Sequence, residues 1–127
     1  MWSFLKTPHT KVLEFRQGRE RQPDEVFVAE CGLPDDPESH RIAIGVRRAV
    51  GGVGLVDPLF IHATDRFPED LSKLPLWDSM DWVTLVLQLE DELGKPMPNS
   101  IQEWKLQNQF TVKQLIDSVR RSVTTAG

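Results

Sequence analysis

The sequence has almost no cysteine and little histidine, and these scarcities exclude several classes of site. Cys31 is the only cysteine among 127 residues, so the chain cannot form an internal disulfide bond. The three histidines, His9, His40 and His62, lack the spacing of metal ligands. Because no histidine lies near Cys31 in the sequence, we interpret it as a small buried hydrophobe rather than a reactive thiol. We therefore expect no metal site.

Long apolar runs and a basic surplus are also missing. No run approaches the roughly 20 apolar residues that span a bilayer, and residues 1–6 lack the apolar centre of a secretory signal. We therefore expect a cytoplasmic protein that does not bind membranes. Residues 49–110 carry four basic and ten acidic side chains. This acidic middle favours partner proteins with basic patches over nucleic acid.

What the sequence does contain is apolar side chains at helical spacing. The first such stretch covers residues 37–53, where Asp36 can cap the helix and a proline follows at the first helical position. Three arginines, Arg41, Arg47 and Arg48, are predicted to lie largely off its apolar face. That face consists of Ile42, Val46, Ala49, Val50 and Val53.

The last helix has the clearest local signature. Thr111 and Gln114 form a capping box in front of residues 112–123. Short helices are also predicted at residues 24–31, before a glycine, and at residues 101–106. The apolar face of the last helix consists of Val112, Leu115, Ile116, Val119 and Val123.

A central helix is predicted to begin after Asp78 and to end at Gly94. Trp77 and Trp82 occupy the two positions of a hydrophobic staple at its start. Acidic side chains mark its polar edges. Its apolar stripe consists of Met80, Val83, Val86, Leu87 and Leu93, and Leu85 and Leu89 widen it.

These segments predict an all-α fold without strands: a small antiparallel four-helix bundle with three longer helices and one short helix. Residues 37–124 would form this monomeric helical domain, and residues 1–36 an N-terminal extension with a short helix at 24–31. Residues 1–23 show no sustained periodicity of apolar side chains and are expected to be partly disordered or loosely packed. Residues 55–77 contain three prolines, which exclude a long regular element, so we expect a crossover pinned by Phe60, Ile61 and Phe67.

Residues 78–81, at the start of the predicted central helix, read D-S-M-D. This motif resembles the acyl carrier protein family, which has D-S-[LM]-D at the start of its second helix. Residues 89–94 read L-E-D-E-L-G, which is similar to the family's ending of the same helix. The resemblance covers about residues 38–123. It implies a bundle of the acyl-carrier type.

The resemblance also implies that Ser79, between Asp78 and Met80, carries a 4′-phosphopantetheine arm. A phosphopantetheinyl transferase would take the arm from coenzyme A, and its thiol would hold acyl chains as thioesters for fatty-acid, polyketide or related biosynthesis. The protein would then be no enzyme and have no catalytic residue. Its further partners would be acyl-transferring or synthase enzymes with basic docking patches. The residues that match the family's partner-binding positions are Asp81, Trp82, Val83, Thr84, Leu87, Glu90, Asp91 and Glu92.

The chain departs from the family pattern near the serine. Leu76 and Trp77 stand where the family has small residues, residues 72–75 lengthen the approach to the motif, and Thr84 replaces a common acidic residue. A second interpretation therefore stays open: a carrier-fold protein that is never modified and acts as a protein–protein interaction module. In that case Ser79 only caps or solvates the helix, as serines at helix starts commonly do.

Overall fold

The computed structural model describes residues 8–67, 69–71, 81–102 and 109–126. Within these ranges the chain is mostly helical, so the expectation of an all-α fold is confirmed at that level. A 3₁₀ turn covers Pro58–Phe60. The helices are α1 (Pro8–Arg16), α2 (Asp24–Cys31), α3 (Pro37–Val53), α4 (Asp81–Leu93), α5 (Asn99–Gln102) and α6 (Val112–Ala126).

A short antiparallel ladder, absent from the sequence-based expectation, joins two distant segments. Strand β1 (Arg66–Phe67) pairs with β2 (Phe110–Thr111), and Phe67 lies opposite Phe110. The two aromatic rings stack with centroids 4.5 Å apart. Each strand has only two residues, too few to show the alternation that reveals a strand in a sequence.

Helix α3 begins and ends with recognisable caps. The Asp36 carboxylate accepts a hydrogen bond from the Ser39 backbone N–H at 2.8 Å, which confirms the predicted cap. At the other end, the N–H of Val56 bonds to the carbonyl of Gly51 and the N–H of Leu55 bonds to that of Gly52. These two bonds form a Schellman motif, which satisfies carbonyls that the helix itself leaves free.

Helices α3 and α4 make the most extensive contact between elements in the described part of the chain. A Cβ added at Gly45 would lie 2.7 Å from Cδ2 of Leu93, and one added at Gly52 would lie 3.9 Å from Oε1 of Gln88. The later residue of α3 thus lies beside the earlier residue of α4, so the two helices run antiparallel. Helix α6 packs against α3. It buries every apolar position predicted for it: Val112, Leu115, Ile116, Val119 and Val123.

Arg47 is not on the solvent side of α3 as the periodicity predicted; its side chain is completely buried. Its guanidinium donates to the backbone carbonyls of Ile61 and Leu59, each at 3.0 Å, and to the Asp24 carboxylate at 2.9 Å. The same group lies over the Phe27 ring at 4.3 Å. Helical periodicity could not predict this, because both the carbonyls and the carboxylate come from other segments.

The described part of the N-terminal segment is packed on the helical domain rather than loose. Phe15 of α1 and Phe27 of α2 are both buried in the same apolar core as α3 and α6. Arg19, which follows α1, donates to both carboxylate oxygens of Asp65 and to the Phe60 carbonyl. The expectation of loose packing is therefore wrong at Phe15 and Arg19, which fix the segment to the domain. The boundary between residues 36 and 37 stays a prediction.

The connection after α3 confirms its expected anchors. Phe60, Ile61 and Phe67 are all buried. Asp57 caps the 3₁₀ turn by accepting a hydrogen bond from the Leu59 N–H. No helix in the described ranges combines the length and apolarity that crossing a membrane requires.

Candidate functional site

The D-S-M-D motif lies directly before and at the start of α4. Asp78, Ser79 and Met80 fall outside the described residues, as does Trp77, so the predicted staple is not described either. Asp81 is the first residue of α4. The site can therefore be built from the helix that follows the motif in the sequence.

Trp82 fixes the beginning of α4 in the core. Its indole N–H donates to the carbonyls of Ile101 and Gln102 at 3.3 and 3.1 Å. Its ring is nearly perpendicular to the Phe110 ring, and the two ring centroids are 5.8 Å apart. The side chain is buried, so this position of the family's partner-binding set faces inward here. The core face of α4 consists of Trp82, Leu85, Val86, Leu89 and Leu93.

The opposite side of α4 exposes two large apolar residues one helical turn apart. Val83 is 55% exposed and Leu87 is 61% exposed. Both were predicted to share one apolar stripe with Val86 and Leu93, but only Val86 and Leu93 are buried. Two overlapping apolar stripes occur on α4, and the stripe that begins at Trp82 is the buried one. The carbonyls of α5 satisfy the indole N–H of Trp82 in this buried position. Val83 and Leu87 remain available for contact with another molecule.

The acidic residues of α4 differ in what they can do. Asp91 and Glu92 are exposed in the last turn. Glu90 is half-buried, and its carboxylate accepts a hydrogen bond from the Met97 N–H at 2.7 Å, which holds the chain after Gly94. Thr84 is exposed near the start of the helix. The described exposed face thus runs from apolar and neutral residues to an acidic end.

The turn after α4 ends the helix as predicted. Gly94 has a φ of +70°, which is left-handed, and its N–H bonds to the Glu90 carbonyl at 2.9 Å. Ile101 in α5 is buried, as expected for the short helix, while residues 103–108 lie outside the described part.

Cys31 lies in an open groove of about 650 Å³ between the end of α2 and α6. Burial raises the pKa of its thiol to about 11, and the Arg47 charge opposes that effect only partly. The thiol is therefore protonated at neutral pH, which agrees with an unreactive cysteine. Among the described residues no cluster of histidine, cysteine and carboxylate side chains could hold a metal ion.

Comparisons with protein-family models, with curated proteins and with solved structures found no match.

Proposed function

We propose that this protein is an acyl carrier protein in which Ser79 carries a 4′-phosphopantetheine arm. The observation that carries the proposal is the exposure of Val83 and Leu87 on the helix that directly follows the D-S-M-D motif. Two large apolar side chains one turn apart form a small exposed apolar patch, and such a patch suits contact with a partner protein. A partner enzyme that acts on Ser79 would meet this surface.

The residues around the motif suit an attached phosphodiester. Ser79 precedes the first residue of α4 by two positions in the sequence, and free N–H groups and the helix dipole at such an end favour an anion. Trp82 holds the beginning of α4 against α5, so an arm at Ser79 would be attached next to a fixed helix. The arm's thiol would hold acyl chains as thioesters.

Attachment needs coenzyme A as co-reactant and a separate transferase. The Ser79 hydroxyl oxygen forms a bond to the phosphorus that bears the pantetheine, the pyrophosphate bond breaks, and adenosine 3′,5′-bisphosphate leaves. The hydroxyl proton passes to a base on the transferase. The chain's own part is to present the hydroxyl, since no catalytic group is required of it.

The acidic end of α4 would guide partner enzymes. Asp91 and Glu92 are exposed. Their negative charges would attract a basic patch on the partner enzyme as the two proteins approach each other. Glu90 contributes less, because its carboxylate is already bonded to the Met97 N–H. Such exposed charges act mainly on the association rate and are weakened by salt.

The proposal is tested by incubating the protein with coenzyme A, magnesium and a broad-specificity phosphopantetheinyl transferase, followed by intact-mass measurement. We expect a gain of one phosphopantetheine on the wild type and none on Ser79→Ala. Ser100→Ala is the matched control, because Ser100 is exposed and bonds only weakly to Ser122 at 3.2 Å. An unmodified wild type, with a transferase proven on another carrier, would contradict the proposal.

A second candidate function is an interaction module that keeps the carrier fold without the arm. The exposed pair Val83 and Leu87 also favours it, because their contact with a partner does not need Ser79. Intact mass of the protein purified from its native cell separates the two: the arm on Ser79 excludes the unmodified module.

A further inference from the structure

Helix α1 is attached to the domain through few buried side chains. Among the residues of α1 whose burial is described, Phe15 alone is buried, and Val12 packs partly against the same core. The helix has 9 residues, and isolated helices shorter than roughly 12 residues are marginal in water. Its helical conformation therefore depends on contacts with the rest of the protein.

Arginine side chains attach this segment to residues 57–65, the connection that follows α3. Arg19 holds the Asp65 carboxylate, which is buried, and also donates to the Phe60 carbonyl at 3.1 Å. The Arg16 guanidinium lies over the Phe60 ring, 4.6 Å from its centre. The strongest of these contacts is the Arg19–Asp65 pair, because it neutralises a buried charge.

Two backbone groups of the segment contact the same connection. The Gln22 N–H donates to the Leu59 carbonyl at 2.9 Å. The Glu20 carbonyl lies 2.9 Å from Nε2 of His62, within hydrogen-bonding distance. We call residues 8–22 the strap, because they lie across the connection.

Helix α2, which follows the strap, is fixed more firmly. Its Phe27 is completely buried, and its Asp24 carboxylate bonds to the buried Arg47 of α3. Helix α2 also packs against both α3 and α6. Its side-chain hydrogen bond to the strap, between Gln22 and Glu30, is exposed and adds little. The strap therefore ends where α2 begins.

The connection is held in place by groups outside the strap. Arg47 donates to two of its backbone carbonyls. At the start of α6, the Val112 N–H bonds to the Asp65 carbonyl and the Lys113 N–H to the Ala63 carbonyl, each at 2.9 Å. These bonds do not involve the strap, so they remain when the strap is released.

We propose that the strap opens as one unit while the connection beneath it keeps its conformation, with the Arg19–Asp65 pair as the latch. Such local opening requires less free energy than global unfolding, because α2, α3 and α6 keep their contacts. Opening uncovers the Asp65 carboxylate and the face of the Phe60 ring that Arg16 covers. The strap thus controls access to an acidic and aromatic site of the domain.

Native-state amide hydrogen exchange of the full chain, at increasing denaturant concentrations below the unfolding transition, tests the proposal. The amides of Arg19 and Gln22, which bond to the Arg16 and Leu59 carbonyls, should share one opening free energy with a small denaturant dependence. The amides of α3, Val112 and Lys113 should exchange with the steeper dependence of global unfolding.

Two variants separate local from global opening. Val86→Ala leaves a cavity beside α4, which stays folded when the strap opens. It should speed exchange of the α3 amides about tenfold and leave the Gln22 amide unchanged. Arg19→Gln removes the latch, which is broken in both the open and the unfolded state, so it should speed exchange of both sets about 100-fold.

Three results would overturn the proposal. Equal opening free energies and denaturant slopes for Gln22 and α3, or an equal acceleration of both in Val86→Ala, would show that the strap opens only with the whole domain. Different opening free energies for Arg19 and Gln22 would show fraying in place of one unit. Exchange of Val112 and Lys113 together with Gln22 would show that the connection moves with the strap.

Discussion

The guanidinium group of Arg19 pairs with both oxygens of the Asp65 carboxylate, at 2.9 and 2.7 Å. The Asp65 side chain is only 6% exposed and also accepts a hydrogen bond from the His62 N–H at 2.8 Å. Arg19 in addition lies 3.8 Å from the centre of the Phe15 ring. One residue of the N-terminal segment therefore neutralises a buried charge in the connection that precedes the motif.

Arg19→Gln should destabilise the protein by about 3 kcal/mol, because it leaves the buried Asp65 without its cation. The measurement is chemical denaturation of both proteins under the same conditions. Arg21→Gln is the matched control, since the Arg21–Asp57 pair is solvent-exposed on both sides and should contribute less than about 1 kcal/mol. Equal losses in the two variants would contradict the importance of burial.

Arg47→Met should cost about 2 to 4 kcal/mol of unfolding free energy. Methionine preserves much of the apolar stem but leaves the Leu59 and Ile61 carbonyls without their donor. Arg48→Met changes the neighbouring exposed arginine and should stay within about 0.5 kcal/mol of wild type. A thermal-unfolding comparison of the two variants decides the matter, and a harmless Arg47→Met would exclude a structural role for these bonds.

Replacing the two glycines near the end of α3, Gly51 and Gly52, by alanine should change the stability of the protein in opposite directions. A Cβ at Gly51 would lie 2.9 Å from the Val56 carbonyl oxygen and 3.0 Å from the Pro58 Cα, and backbone atoms cannot easily yield. Gly51→Ala should therefore destabilise by about 1 to 3 kcal/mol. At Gly52 the nearest atom is 3.9 Å away, so Gly52→Ala should stabilise by about 0.5 to 1 kcal/mol. Differential scanning calorimetry on both variants would show shifts of opposite sign.

Stability should decrease on acidification because several carboxylates have lowered pKa values. The backbone hydrogen bond from Ser39 lowers the pKa of Asp36, and the side-chain hydrogen bonds from Arg66 and Arg121 lower those of Asp70 and Asp117. A group with a lowered folded-state pKa stabilises above its unfolded value and loses that contribution as the pH falls through its folded pKa. We expect the loss to begin near pH 4 and to grow below it.

Asp70→Asn tests this origin directly. Its stability at neutral pH should be lower than that of the wild type, and its further loss between pH 5 and pH 2 should be smaller, because one of the titrating groups is gone. Denaturant midpoints across that range give the comparison. A variant with the same acid slope as the wild type would show that other groups cause the pH dependence.

Local signals predicted the caps well. Thr111 and Gln114 form the expected reciprocal pair, with the Thr111 N–H donating to Gln114 at 2.8 Å and the Gln114 N–H donating to Thr111 at 3.3 Å. The Asp36 cap and the Gly94 stop were equally readable. Each depends on residues within a few positions of one another, so the sequence contains all of the information.

Tertiary partners decided what periodicity could not. The burial of Arg47 required carbonyls from the connection and a carboxylate from α2, and the burial of Trp82 rather than Val83 required the carbonyls of α5. The left-handed conformation of Leu55 could not be predicted, because glycines stand close to it and sequence rules assign that conformation to glycine first. These three residues lie within α3, in the connection that follows it and at the start of α4.

The β1–β2 ladder has a kinetic consequence. It joins Phe67 to Phe110, so the motif and the whole of α4 belong to a loop whose base is tied by two residues on each side. Contacts between residues so distant in sequence form only after the entropy of closing the intervening chain has been lost. Pulse-labelled amide exchange at Val112, whose N–H bonds to the Asp65 carbonyl beside the ladder, would therefore report when the loop that contains Ser79 closes during folding.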